Sequence, residues 1–178
     1  MKKYFIIVLA ILALAACKNS DSFRTYEQAE QEFRQSLTFH DTLAVLTLGQ
    51  NFMDALKSGQ VESELVNLCV LYNDTLYKVA DKSLLELQRR FSSVPVSDYA
   101  VASYSFSTPG NNDLAYRYTT SGKVGTSPAF KIMFNPVKVD DHWYLTLKDG
   151  NMSSLDKDPA LQVHPLSPAP NPIVLNKE

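Results

Sequence analysis

The stretch Phe130–Leu147 (FKIMFNPVKVDDHWYLTL) constrains the fold more than any other. It reads as two strands joined at Asp140-Asp141 and holds the single tryptophan, Trp143. Its apolar residues alternate in two phases. Phe130, Ile132 and Phe134 share one parity, whereas Val137, Val139, Trp143, Leu145 and Leu147 share the other, and side-chain direction in a strand repeats every two residues. A bulge near Asn135-Pro136 would reset the phase by inserting one residue, and proline, which offers no N–H to a ladder, is tolerated there. The expectation is a bent strand and a curved sheet with a concave side. A two-residue Asp140-Asp141 loop would pair Val139 with His142 and Lys138 with Trp143. A three-residue loop ending at His142 would instead gather Val137, Val139, Trp143 and Leu145 together, and it is preferred because a one-residue slip exposes the tryptophan face.

The chain begins with Lys2-Lys3 and an unbroken apolar run from Tyr4 to Ala16, too short to span a membrane and built like an export leader. It ends in Leu14-Ala15-Ala16-Cys17, which resembles a bacterial lipobox, the site where lipoprotein leaders are cut before a cysteine that becomes lipidated. By that resemblance residues 1–16 are removed and Cys17 carries the anchor to the lipid bilayer. Stable holding takes two or more acyl chains, since one chain alone binds marginally. The expected address is the bacterial cell envelope, the outer membrane preferred over the inner. Loss of the leader leaves 15 basic and 19 acidic residues, a net charge of −4. With no basic run, nucleic acid is disfavoured as a partner. Once Cys17 is acylated only Cys69 remains, so an internal disulfide is excluded and packing must hold the fold.

Residues 17–24 form the lipidated cysteine and its tether, 25–150 a single α+β domain, and 151–178 a tail. A first helix is predicted from Thr25 to Leu37, with Thr25 and Gln28 at capping-box spacing. A second starts at Asp41 as N-cap, buries Val45, Leu48, Phe52 and Leu56, and ends at Gly59. A third, shorter helix is predicted over Val61–Tyr72, broken by Asn73-Asp74. Thr75–Val79 reads as extended, and Lys82–Phe91 as a helix capped by Asp81. Asp98–Ser107 and Asp113–Thr120 are tyrosine-rich strands on either side of Pro109-Gly110-Asn111-Asn112, which is turn chemistry. Helices followed by an antiparallel meander argue for helices packed on one face of a sheet. Pro159, Pro165, Pro168, Pro170 and Pro172 make the tail extended or disordered, with Ile173-Val174-Leu175 apolar enough to dock.

NFMDALKSGQVES, then RRFSSVPVSDY, then FNPVKVDDHWYLTLKDG resemble a group of small bacterial lipoproteins similar to the nuclear transport factor 2-like (cystatin-like) superfamily. The resemblance spans about Thr42 to Gly150 and is sharpest at Asn135-Pro136-Val137 and Trp143-Tyr144-Leu145. The tip departs from the Asp-Gly frequent in those relatives, carrying Asp141-His142 after Asp140. It implies a strongly bent sheet wrapped round helices as a cone, with a pocket on the concave face, and no particular activity.

Tyr99, Tyr104, Tyr116, Tyr118 and Trp143 are the candidates to line such a pocket, tyrosine supplying an apolar ring and a hydroxyl. Asp98, Asp113, Asp140, Asp141, His40 and His142 are the available acids and bases, but they make no catalytic motif. Asp41, Asp74 and Asp81 have capping or turn explanations. His40, His142 and His164 share no spacing that would hold zinc, and neither metal nor cofactor is expected. Cys69 reads as a buried small apolar residue and Arg117 as a solvated charge. Asp41-Thr42-Leu43 and Asp74-Thr75-Leu76 look like short acceptors for O-glycosylation at Thr42 and Thr75. The leading expectation is a non-enzymatic, tethered module that binds a small ligand or another envelope protein. An acid–base enzyme acting on a small apolar or carbohydrate substrate and a structural homodimer are the alternatives.

Overall fold

The computed structural model describes residues 25–148 and the backbone of residues 157–165. Residues 1–24, where the leader, the lipidated Cys17 and the tether were expected, and residues 149–156 and 166–178 of the expected tail lie outside the described residues. Helix α1 is Tyr26–Ser36, α2 is Phe39–Ser58 and α3 is the single turn Glu62–Leu65. Strands β1 (Leu68–Tyr72) and β2 (Thr75–Val79) follow, then α4 (Asp81–Ser92). The chain continues through β3 (Asp98–Thr108), β4 (Asn111–Thr119), β5 (Phe130–Val139), β6 (His142–Leu147) and β7 (Lys157–Pro165). The strands make one mixed sheet in the order β3-β4-β5-β6-β1-β2-β7, with β1 parallel to β6 and the other pairs antiparallel.

The helix ends follow their local chemistry. Thr25 and Gln28 close a reciprocal capping box on α1. On α2 the box is formed by Thr38 and Asp41, so the helix starts earlier than expected and Asp41 is its third residue, not its cap. Gly59 ends α2 in the left-handed region at φ 71°. Ala80 precedes α4 without a side-chain cap, which leaves Asp81 in the first turn, where a carboxylate suits the helix dipole.

The third helix of the sequence reading is largely a strand. Leu68, Cys69 and Val70 are buried in succession, which is the pattern of a central strand covered on both faces; over so short an apolar run, helical periodicity does not discriminate. Asn73 and Asp74, read there as a helix breaker, both have positive φ (47° and 54°) and form the two-residue turn of the β1–β2 hairpin. Burial on both faces also revises the organising hairpin. β5 pairs with β6 without a register shift, Val139 facing His142 and Lys138 facing Trp143, so the loop is the two-residue Asp140-Asp141 and not the three-residue form. No bulge lies at Asn135-Pro136. Phe134, Leu145 and Leu147 join the main core under the helices, with Trp143 packed against it, while Val137 and Val139 join Cys69 and Leu76 in a second cluster. Within β5 the two phases are thus the two faces of one regular strand, and the two-residue loop returns Trp143, Leu145 and Leu147 to the face of Phe134.

Bulges occur instead in β3, where register shifts fall between Val101 and Ser103 and between Phe106 and Thr108. Each extra residue bends the strand locally. The second is supported by a side chain: the N–H of Ser107 donates to Asn112 Oδ1 at 3.0 Å. The prolines at 159 and 165, expected to keep the tail out of a sheet, lie in β7, paired with β2 through two register irregularities. An edge strand tolerates them because one side of its backbone needs no ladder partner.

Helices α1, α2 and α4 pack on the face of Tyr116 and Phe134. Phe52 of α2 meets the rings of Phe91 and Phe134 edge-on at 5.3 and 5.2 Å. Gly49 allows α2 to come this close: a Cβ there would collide with Leu114 Cδ2 and lie 2.8 Å from Tyr116 Cε2. Gly49→Ala is therefore expected to cost roughly 1–3 kcal/mol, the usual range for overpacking, read as a lowered urea midpoint with an unchanged slope. A loss below about 0.5 kcal/mol would mean that the centre of this face can yield.

Candidate functional site

The five aromatic residues singled out in the sequence share the helix-facing side of the sheet, but they occupy different places. Tyr116 is fully buried, its hydroxyl donating to the carbonyl of Leu46 at 3.2 Å and its ring edge-on to Phe134. Burial, reinforced by the nearby Asp54 charge, pushes its phenol up to about 12. Tyr99 packs on Tyr116 and donates to Asp54 Oδ1; burial first, then that carboxylate, raises its phenol well above the ordinary range. Neither hydroxyl is free for a ligand. Tyr118 stacks on Phe130 and reaches a separate cavity described below.

Trp143 is half-buried between Phe33 and Phe106, and Phe106 in turn lies 6.1 Å from Tyr104. Tyr104 and Phe106 form one wall of a hollow of about 430 Å³ whose other wall is the α1–α2 junction, including Thr38, Phe39 and Thr42. Beside it stands a polar cluster centred on Asp41. Asp41 Oδ1 accepts from Lys138 Nζ at 2.7 Å and from Trp143 Nε1 at 2.9 Å. Its Oδ2 accepts from the backbone N–H and the hydroxyl of Thr38, both at 2.8 Å. The side chains of Asp41 and Lys138 are only 12% and 16% exposed. Burial acts to raise the carboxyl's pKa, but the bonds from Lys138, Thr38 and Trp143 outweigh it and hold Asp41 well below the usual carboxylate range. A carboxylate so held is a weak base, and this cluster ties the start of α2 to the β5–β6 hairpin. The sequence reading took Asp41 for a helix cap and gave Lys138 no role. The available signal was Lys138 opposite Trp143 in the two-residue register, since a lysine on a covered face calls for a carboxylate.

A second polar clamp lies at the β3–β4 tip. Asn112, 1% exposed, donates from Nδ2 to the carbonyl of Pro136 at 2.7 Å and from its N–H to Asn135 Oδ1 at 2.8 Å. Asn135 Nδ2 returns a bond to Gly110 O, and the N–H of Lys138 donates to Pro109 O. From Asn135 onward the tip of the hairpin replaces the β4 ladder as the partner of β5, at the place where Pro136 has no N–H to give.

The other acids and bases are dispersed. The carboxylate of Asp98 accepts from the N–H of Val124, which lowers its pKa, and lies 3.9 Å from Lys57. Asp113 pairs with Lys148 at 2.7 Å. Asp140, Asp141 and His142 are exposed at the β5–β6 tip, and His40 is exposed in the first turn of α2. Cys69 is buried, and burial pushes its thiol up to about 11 against the opposing pull of Lys78. Thr42 is half-buried on α2, and Thr75 begins β2, donating to the carbonyl of Asn73.

The cavity that Tyr118 reaches measures about 370 Å³ and lies between α2, the end of α4 and the sheet where β6 ends. Leu56, Phe91, Ile132 and Leu147 supply apolar surface, and Arg90, Lys131 and Lys148 stand round it. No carboxylate or histidine is among its described lining residues. A cavity of this size with apolar walls and a few polar groups has the build of a small-ligand site. The sequence reading did not assemble it, because its parts come from α2, α4, β4, β5 and β6 and share no local pattern.

Fold and cavity together define a mixed α+β domain with helices on one face of a largely antiparallel sheet. Comparison of the chain with protein-family models, with curated proteins and with solved structures finds no match in any of the three.

Proposed function

We propose that the chain is a lipid-anchored binding module of the bacterial cell envelope, held through Cys17 and built as a nuclear transport factor 2-like cone that binds a small ligand without transforming it. The observation that carries the reading is the cavity of about 370 Å³ beside Tyr118, with Leu56, Phe91, Ile132 and Leu147 among its lining residues. Proton transfer would call for an acid or base in the same space, and the well-covered carboxylate of Asp41 is engaged by Lys138, Trp143 and Thr38. Helices on one face of a bulged sheet support the cone, and Leu14-Ala15-Ala16-Cys17 supports the anchor.

A second reading, the homodimer, is favoured by the edge at β3. From Tyr99 to Ser107 this strand has neither a charge nor a proline, the usual devices that keep an open edge from pairing. One measurement addresses both readings: the mass of the protein taken from membranes, native and then denatured. The expected results are an acyl mass on Cys17 that the Cys17→Ser chain lacks, and additional mass released on denaturation. A doubled native mass without released ligand favours the dimer. A native monomer with neither acyl group nor ligand overturns the proposal, and the same spectrum reads any sugar on Thr42 or Thr75.

A further inference from the structure

We infer that the outer edge of β3 docks an extended segment of another protein, one bulky apolar side chain of which seats in the hollow between Tyr104 and the α1–α2 junction. The inference uses the same open edge as the homodimer and gives it a different occupant. Among the described residues β3 pairs only with β4, so the backbone groups on its outer side have no ladder partner, and Ala100–Ser105 are exposed in succession. Groups in that array are matched by another extended backbone. The opposite edge is protected: β7 carries Lys157, Asp158, Pro159 and Pro165, charges and prolines that discourage pairing. β3 has only its two bulges, which leave Ser103–Phe106 as the regular run between them.

Backbone pairing over so short a run is weak, and the hollow lies where it can add to it. Val101 and Tyr104 oppose Tyr116 and Leu114 across the β3–β4 ladder, so they lie on the helix side of the edge, 46% and 48% exposed. The hollow of about 430 Å³ opens beside Tyr104, and Phe39 on its other wall is 77% exposed. In a strand laid along β3, alternate side chains point to this side. The polar groups there are engaged: Arg34 with Glu30 at 3.4 Å, the Thr38 hydroxyl with Asp41, and the Ser105 hydroxyl with Asp113. From Tyr99 to Ser107 the edge itself has no charge. A charged side chain would therefore meet no counter-ion, whereas an aromatic or long aliphatic one gains by leaving water. A second copy fits less well. Antiparallel pairing of two β3 strands about the middle of Ala100–Ser105 sets Tyr104 and Ser105 against Val101 and Ala100, which are too small to fill the hollow.

Panning a random heptapeptide phage library against the full chain tests the inference, with enriched sequences remade as free peptides. The expected result is uncharged sequences sharing one aromatic or long aliphatic residue, whose affinity falls about tenfold or more when alternate backbone amides are N-methylated. Tyr104→Lys places a charge on the edge and Phe39→Ser removes an apolar wall. Both residues are exposed, so the urea midpoint should hold while peptide affinity falls about tenfold in each variant. Failure to enrich any peptide overturns the inference, as do enriched peptides indifferent to N-methylation and to both substitutions. A doubled native mass that Tyr104→Lys returns to a monomer puts a second copy on the edge and also overturns it. Competition by a synthetic peptide of residues 166–178 makes the chain's own tail the occupant, with the same consequence. None of these readouts involves the cavity beside Tyr118, so the ligand-binding proposal stands or falls separately.

Discussion

Asp41→Ala is expected to destabilise the domain by roughly 3–5 kcal/mol, the cost of leaving a covered charge without its partner. Lys138 would keep its ammonium on a face only 16% exposed, Trp143 would lose its acceptor, and the start of α2 would lose the reciprocal half of its capping box. Native pairing adds a pH signature. Because the folded carboxyl titrates below its ordinary value of 3.8, its contribution is fully present above that range and is lost as pH falls through the folded value. The gap between wild type and Asp41→Ala in urea midpoint should therefore be widest near neutrality and narrow in acid. Replacing both charges, Asp41→Leu with Lys138→Met, should recover much of the loss, since two matched apolar groups need no desolvated partner. A single-substitution cost below about 1 kcal/mol would place the pair among solvated surface bridges and sink the account.

The same pair explains where the sequence could be read and where it could not. Alternation in Phe130–Leu147 located both strands, and capping chemistry at Thr25-Gln28 and Gly59 located helix ends, because these signals lie within a few residues of what they determine. The bulge, the loop length and the third helix were misread for one shared reason: a single buried face was assumed. With Cys69, Leu76, Val137 and Val139 covered on the far face, Leu68–Tyr72 becomes a strand and Val137 need not share a side with Trp143. Lys138 beside Trp143 looked like an error of register until Asp41, far away in the chain, supplied its acceptor. The cavity was hidden more deeply. Arg90, Lys131 and Lys148 are ordinary surface cations in any local window, and only the strand order brings them round one space.

Asn112→Ala is the substitution that separates a clamp from a mere turn. Asn112 is the most buried polar residue of the β3–β4 tip, and its side chain both donates to Pro136 O and accepts from the bulged Ser107 N–H. Truncation strands a donor and an acceptor together, and at about 1–3 kcal/mol for each unsatisfied group the expected loss is roughly 2–5 kcal/mol. The effect should be local as well as global. Amide exchange at Ser107 and at Lys138, whose N–H donates to Pro109 O, should accelerate more than exchange at Leu114 or Tyr116 in the middle of β4. Asn112→Asp keeps the acceptor for Ser107 but removes the donor to Pro136, so it should protect Ser107 and not rescue stability in full. Uniform acceleration across β4 in both variants would mean that the tip follows the core passively. Selective loss at Ser107 and Lys138 would mean that the hairpin tip, and not a bulge in β5, fixes the β4 side of β5 beyond Asn135.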